Sequence, residues 1–197
     1  MPRADFSERI EGVGQRGQFV QLKKKGESIT FRIADVPSYN GKHWISKREW
    51  VFCPKIMKTA EVCEWCEKAE ITQDLEEKKQ IKVKVSFYFP IVDRETKKAA
   101  IFQTGLQVRN AIQEYEKNGI DVYKSDWKVV RNEGDNPANY YAVIRLDTTK
   151  LDKDEEEELG KAAALDVEAL TSKSFPKPAD VGSDDFVDEV LDKMDKK

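Results

Sequence analysis

The sequence holds one histidine and three cysteines in 197 residues, and it places all four between positions 43 and 66. Other features are missing altogether. No apolar run approaches the roughly eighteen residues of a membrane span. The opening residues, MPRADFSERIEG, lack the apolar stretch of a signal peptide. No phosphate-cradling glycine loop, no nucleophile elbow and no internal repeat is visible. These absences argue against a membrane, secreted or catalytic protein. The expected location is the cytoplasm, where disulfides are disfavoured and clustered cysteines more often bind metal.

The chain is 36% charged and 39% hydrophobic, polar overall but with enough aromatic and β-branched residues for a core. Its net charge of −3 conceals an asymmetry. Residues 151–197 carry fifteen Asp/Glu against seven Lys, a net of −8, which leaves 27 basic and 22 acidic residues in 1–150, a net of +5. A basic body with an acidic tail recurs in proteins that bind polyanions, although a solvated surface with a solubilising tail has the same composition.

Residues 1–17 are polar and glycine-containing and read as a flexible arm. GQFVQLKKKGESITFRIADV reads as a β-hairpin with Gly26 at its turn, and Ile29, Phe31 and Ile33 alternate with Thr30 and Arg32. HWISKREWVFCP reads as one further extended segment. Cys63 to about Lys79 favours helix, and Ile81 to Phe89 is the strongest strand, joined through DRETKK to AAIFQT. GLQVRNAIQEYEKNG is an amphipathic helix with Leu106, Val108, Ile112 and Tyr115 near one face and Gly119 as its stop. DWKVVRN and YYAVIRL are two more strands. Residues 151–171 are a charged helix candidate and 172–197 an acidic tail. About six short strands suggest a mainly β fold, and a five-stranded OB-type barrel over 18–150, with an inserted metal subdomain at 43–79, accommodates this order.

His43, Cys53, Cys63 and Cys66 form the pattern H-x9-C-x9-C-x2-C. One imidazole and three thiolates make a closed tetrahedral set, the usual form of a structural zinc site. Soft thiolates favour zinc over magnesium or calcium, and iron stays chemically open. A redox Cys-x-x-Cys pair is the alternative, but it leaves Cys53 and His43 unexplained. Four protein ligands leave no open position for an activated water, so the site reads as structural.

Basic and aromatic residues interleave on two predicted strands. Ile81, Val83, Val85, Phe87 and Phe89 share one face, and Lys82, Lys84, Ser86 and Tyr88 share the other. Trp44, Arg48, Trp50 and Phe52 have one parity in the segment before the cysteines, and Arg32 takes the polar face of its strand. Cations beside aromatic rings suit phosphate contact and base stacking on a single strand. Taken singly, each lysine is as well explained by solvation and each tryptophan by a core or by cover for the metal site.

Together these residues resemble the T-even-type phage single-stranded-DNA-binding proteins. The similarity runs from GESITFRIADV through HWI and the four ligands to FYFPIVDRETKKAAIFQTGLQVRNAI and DWKVVRNEG, roughly residues 18–147. It implies an OB-type barrel, one structural zinc on His43, Cys53, Cys63 and Cys66, and a role in DNA replication, recombination or repair. It also implies that the acidic tail docks partner proteins; there Phe186, Val190 and Leu191 share one face of a short helix candidate. The arm lacks the basic-then-Ser/Thr cluster used by those members for cooperative binding, and KKKGES is only a loose echo of it.

The expected function is therefore non-catalytic binding of single-stranded DNA, through Arg32, Trp44, Arg48, Trp50, Lys82, Lys84 and Tyr88. An RNA-binding or transcription-associated zinc protein is the nearest rival, because stacking does not distinguish ribose from deoxyribose. A metal-dependent nuclease would have to use DEEEE or DDFVDE, which have the composition of solvated helix and linker. A zinc-stabilised scaffold would show no affinity for nucleic acid.

Overall fold

The computed structural model describes residues 19–46, 49–132 and 140–167. Their elements run in the order β1 (Phe19–Val20), β2 (Ser28–Ile33), β3 (Ser38–Trp44), β4 (Trp50–Phe52), α1 (Glu64–Ile71), α2 (Leu75–Ile81), β5 (Lys84–Asp93), β6 (Lys98–Thr104), α3 (Leu106–Lys117), β7 (Asp126–Arg131), β8 (Tyr141–Leu146) and α4 (Lys153–Ala163). The described chain divides into two compact units, one from 19–41 with 84–167 and one from 42–83. The arm at 1–17 and the tail at 172–197, with Phe186, Val190 and Leu191, lie outside the described residues, as does Arg48.

The fold is mainly β, built on a mixed sheet of eight strands. Its main path is β1-β6-β5-β2-β7-β8, and β3 pairs with β5 and with β4. The sheet is not closed, so an open arrangement stands in place of the expected five-stranded barrel. The expected first hairpin does not form either. β1 joins β6 in parallel, Phe19 opposite Ile101, instead of folding back on β2. The turn between them is fastened elsewhere. Gly26, at φ +77°, donates its N–H to the Arg131 carbonyl, and Arg131 returns a bond to Glu27, both at 2.8 Å.

Alternation in three strands builds the core of the sheet unit. Ile29, Phe31 and Ile33 of β2, Phe87, Phe89 and Ile91 of β5, and Trp127 and Val129 of β7 join Phe102 in one buried cluster. Phe31 and Phe102 meet with ring centroids 5.3 Å apart. α3 closes this face with Val108 and Ile112, one turn apart, while Leu106 stays half exposed at 50%. Gly119, at φ +81°, follows the helix and ends it. The buried Trp127 indole donates to the Val122 carbonyl at 3.0 Å.

The opposite face is also covered. Tyr88 and Ile101 are buried with Val167, and Leu165 packs against them. α4 brings this segment in. Its Asp152 side chain accepts the Glu155 N–H and the Glu155 side chain accepts the Asp152 N–H, a reciprocal cap at the helix start. Glu155 also pairs with Arg94 at 2.7 Å. Nearby, Arg32 donates Nε to Asp126 at 2.9 Å and Nη2 to the Thr149 carbonyl at 2.8 Å. Among the described residues no helix is long and apolar enough to cross a membrane.

Candidate metal centre and its hairpin

The segment expected as one extended run, HWISKREWVFCP, holds the end of β3 and all of β4, which form a hairpin. β3 and β4 pair antiparallel, with Lys42 opposite Phe52, His43 opposite Val51 and Trp44 opposite Trp50. Residues directly opposite one another share a face, and neighbours along a strand point to opposite faces. His43 is therefore on one face with Val51, and Cys53 follows with the same parity as Val51. Lys42, Trp44, Trp50 and Phe52 take the other face. The hairpin sorts the metal-ligating residues from the aromatic ones.

Two further ligands come from a helix start. Cys63 is the N-cap of α1, in extended backbone, and Cys66 lies in the first turn. N-cap and third helical residue are where side chains meet across a helix N-terminus, the geometry that capping boxes use. Between Cys53 and Cys63 the chain turns tightly. Met57 donates to the Cys53 carbonyl and Thr59 to the Pro54 carbonyl, both at 2.9 Å, and Lys58 takes φ +57°.

The four ligand atoms lie within 4.8 Å of one another. Cys53 Sγ is 3.6 Å from Cys66 Sγ, while His43 Nε2 is 3.4 Å from Cys63 Sγ and 3.6 Å from Cys66 Sγ. Tetrahedral bonds of about 2.3 Å to sulfur and about 2.05 Å to nitrogen require edges of about 3.8 Å for S···S and about 3.6 Å for S···N. The observed edges fit that frame, so the cluster could hold one metal ion, and its geometry is consistent with structural zinc. His43 and Cys53 are fully buried, Cys63 nearly so and Cys66 half-buried.

The imidazole is also oriented. His43 Nδ1 lies 2.6 Å from the Ile81 carbonyl. A carbonyl only accepts, so Nδ1 carries the proton and Nε2 keeps its lone pair for the thiol side. Ile81 ends α2, where backbone carbonyls have no partner within the helix, so one bond satisfies the helix end and fixes the ligand. α2 runs through Ile81, so the strand expected from Ile81 begins only at Lys84. In a cluster of thiols alone, burial pushes the Cys66 thiol up to about 12, helped by hydrogen bonds with Cys53 and Cys63. A dication reverses that preference and stabilises thiolates.

On the other face, Lys42 Nζ sits 4.1 Å from the Trp50 ring centre and 5.6 Å from that of Phe52. Trp50 and Phe52 meet edge to face at 4.9 Å. Burial lowers the Lys42 ammonium to about 8. The Trp50 ring face opposes that fall by attracting the cation.

The remaining site residues separate. Trp44 and Trp50 are half-buried in the hairpin, and Lys82 and Lys84 are exposed beyond α2 and at the start of β5. Arg32 is not solvent-facing: it is 7% exposed, with its guanidinium 2.8 Å from Asp126. Tyr88 is 1% exposed, and its hydroxyl accepts from Asn40 at 3.0 Å. The segment carrying Leu165 and Val167 covers that side chain, which strand parity alone assigned to solvent. Lys42 has the same parity as Trp44 in the sequence, and it is buried against the Trp50 and Phe52 rings. No protein-family model and no curated protein matches this chain, and the site stands on its own geometry.

Proposed function

We infer that this protein binds single-stranded DNA and catalyses no reaction, with one structural zinc bracing the binding surface. The observation that carries this reading is the hairpin register. It gathers Trp44, Trp50 and Phe52 on the face away from His43 and Cys53. Rings of that kind stack bases without regard to sequence, and neighbouring cations follow the phosphates. Lys82, Lys84 and Arg48 are the proposed phosphate contacts. Arg32 and Tyr88 are left out, because buried groups with protein partners have little to offer a strand.

The resemblance to T-even-type phage proteins supports a role in DNA replication, recombination or repair in a bacterial cytoplasm. It also supports an OB-type ancestry for the open β sheet and a docking role for Phe186, Val190 and Leu191 with replication or recombination proteins. Four protein ligands around one ion leave no coordination position for substrate, which favours binding over hydrolysis.

The test is a titration of labelled single-stranded DNA, duplex DNA and RNA at two salt concentrations, with metal content measured on the same sample. The expected result is a preference for single-stranded DNA, affinity falling steeply with salt, and one zinc per chain. Trp50→Ala should weaken binding about 5- to 100-fold. RNA preference would move the reading to an RNA-binding protein, and absence of binding at low salt would overturn it.

A further inference from the structure

A second aromatic–cation group lies in the sheet unit, on three different elements. Tyr39 of β3 is 39% exposed and leans on Phe87 of β5, with ring centres 5.9 Å apart and planes tilted by 40°. Phe87 is itself nearly buried, at 8%, so it supports the tyrosine from below. On the same ring sits Arg109 of α3, its Cζ 5.7 Å from the centre. The guanidinium is steadied by side-chain oxygens of Gln113 and of Asn110, the latter at 3.3 Å. Both acceptors are neutral amides. The contrast with two other arginines is plain: Arg32 is paired with Asp126, and Arg94 with Glu155. Arg109 keeps its charge unneutralised by these contacts. β3 is held beside β5 by pairing and by the Asn40–Tyr88 bond, so Tyr39 stands on a fixed base.

We propose that Tyr39 and Arg109 form a nucleotide subsite in the sheet unit: the Tyr39 ring stacks a base and the Arg109 guanidinium takes a phosphate of the same single strand. The proposal rests on the single-stranded-DNA reading above and deepens it, adding a contact that the hairpin does not supply. An exposed ring with a buried ring behind it offers a face to a base at little cost in side-chain freedom, since Phe87 already limits its motion. Arg109 held by amides and a ring is pre-oriented, and a planar guanidinium suits phosphate oxygens.

The test compares wild type, Tyr39→Ala, Tyr39→Phe, Arg109→Gln and Trp50→Ala for binding of labelled oligothymidine across a salt series, with thermal unfolding to confirm that each variant is folded. Tyr39→Ala should weaken binding about 5- to 100-fold while Tyr39→Phe stays near wild type. Arg109→Gln should reduce the slope of log affinity against log salt by about 0.7, the value for one phosphate contact on a single strand. Ultraviolet cross-linking of a 5-bromouracil strand to the wild-type protein gives a readout independent of variant folding, and an adduct on Tyr39 is expected. If wild type binds and Trp50→Ala is impaired, but Tyr39→Ala and Arg109→Gln match wild type and no adduct maps to Tyr39, the subsite is overturned and the hairpin reading stands. If wild type does not bind at low salt, both fall together.

Discussion

The sheet unit buries Phe31, Phe102, Trp127, Ile91 and Val129 completely, whereas the unit at 42–83 leaves Met57, Val62, Ile71 and Leu75 between 36% and 78% exposed. Among the described residues of the smaller unit, the buried apolar side chains besides the cysteines are Ala69 and Ile81. A unit of about forty residues has too little interior to fold on apolar burial alone. The four ligands take the place of that core. Side chains that a hydrophobic core would use are left on the surface, and what joins β3, β4, α1 and α2 is the cluster of His43, Cys53, Cys63 and Cys66, which could hold one metal ion, together with the His43 bond to the Ile81 carbonyl. In the sheet unit the same chain uses strand alternation, a packed helix and a covered second face.

The largest expected effect follows directly. Stripping the metal with a chelator, or substituting Cys63→Ser with Cys66→Ser, should remove hydrogen-exchange protection across α1 and α2 while β2, β5 and β7 keep theirs. Structural zinc contributes about 10–16 kcal/mol to small zinc-finger peptides, far more than two buried aliphatic residues supply. Unchanged protection in α1 and α2 after complete metal removal would sink the comparison, since it would mean that 42–83 has a sufficient core of its own.

The converse change strikes the other unit. Phe31→Ala empties a fully buried ring site against Phe102 and should cost about 3–5 kcal/mol of sheet-unit stability in a denaturant titration. Metal content should stay at one ion per chain in the folded variant. A loss below about 1 kcal/mol would show that this site collapses without a cavity and that the sheet is held by something other than its apolar cluster.

How much of this was legible in the sequence differs between the units for a physical reason. The metal ligands could be found by counting, because His43, Cys53, Cys63 and Cys66 exhaust their residue types and their spacing carries the chemistry. α3 was equally clear, since Val108 and Ile112 recur at helical spacing and Gly119 ends the run. The β3–β4 turn was missed because ISKRE contains neither glycine nor proline, the usual signals of a reversal. Even so, the parity that grouped Trp44, Trp50 and Phe52 survived, because antiparallel pairing in this register keeps even positions together. The break between α1 and α2 was signalled only by Asp74, whose side chain accepts the Glu77 N–H at 2.7 Å and starts the second helix. Strand alternation puts Arg32 and Tyr88 in solvent, and their covers come from far along the chain, Asp126 for one and Val167 for the other. Strand alternation reports which face a residue takes, and it is silent on what later covers that face.

The smallest expected effect concerns how α4 is held on the sheet unit, and it separates the two units by pH. Glu158 accepts the Ala99 backbone N–H at 2.9 Å and lies 3.0 Å from Lys161 and 3.5 Å from Lys98. The Ala99 bond, then the Lys161 bond, hold its carboxyl down at about 2, against an ordinary 4.5. A carboxyl depressed on folding binds fewer protons in the folded chain than in the unfolded one. Its contribution is therefore complete above about pH 4.5 and is lost as pH falls towards about 2. Because the ion-pair partners are solvent-exposed lysines, that contribution is about 1 kcal/mol. Wild type should exceed Glu158→Gln in sheet-unit stability by that amount at pH 6, and the two curves should converge between about pH 4.5 and about 2. Metal-stripped protein should show the same convergence, because Glu158 acts within the sheet unit and acid acts on the 42–83 unit through its ligands, which bind metal only when deprotonated. Curves that coincide from pH 6 down to pH 2 would show that the Ala99 clasp contributes nothing, and that the Arg94–Glu155 pair with Ala162, Leu165 and Val167 keeps this segment in place.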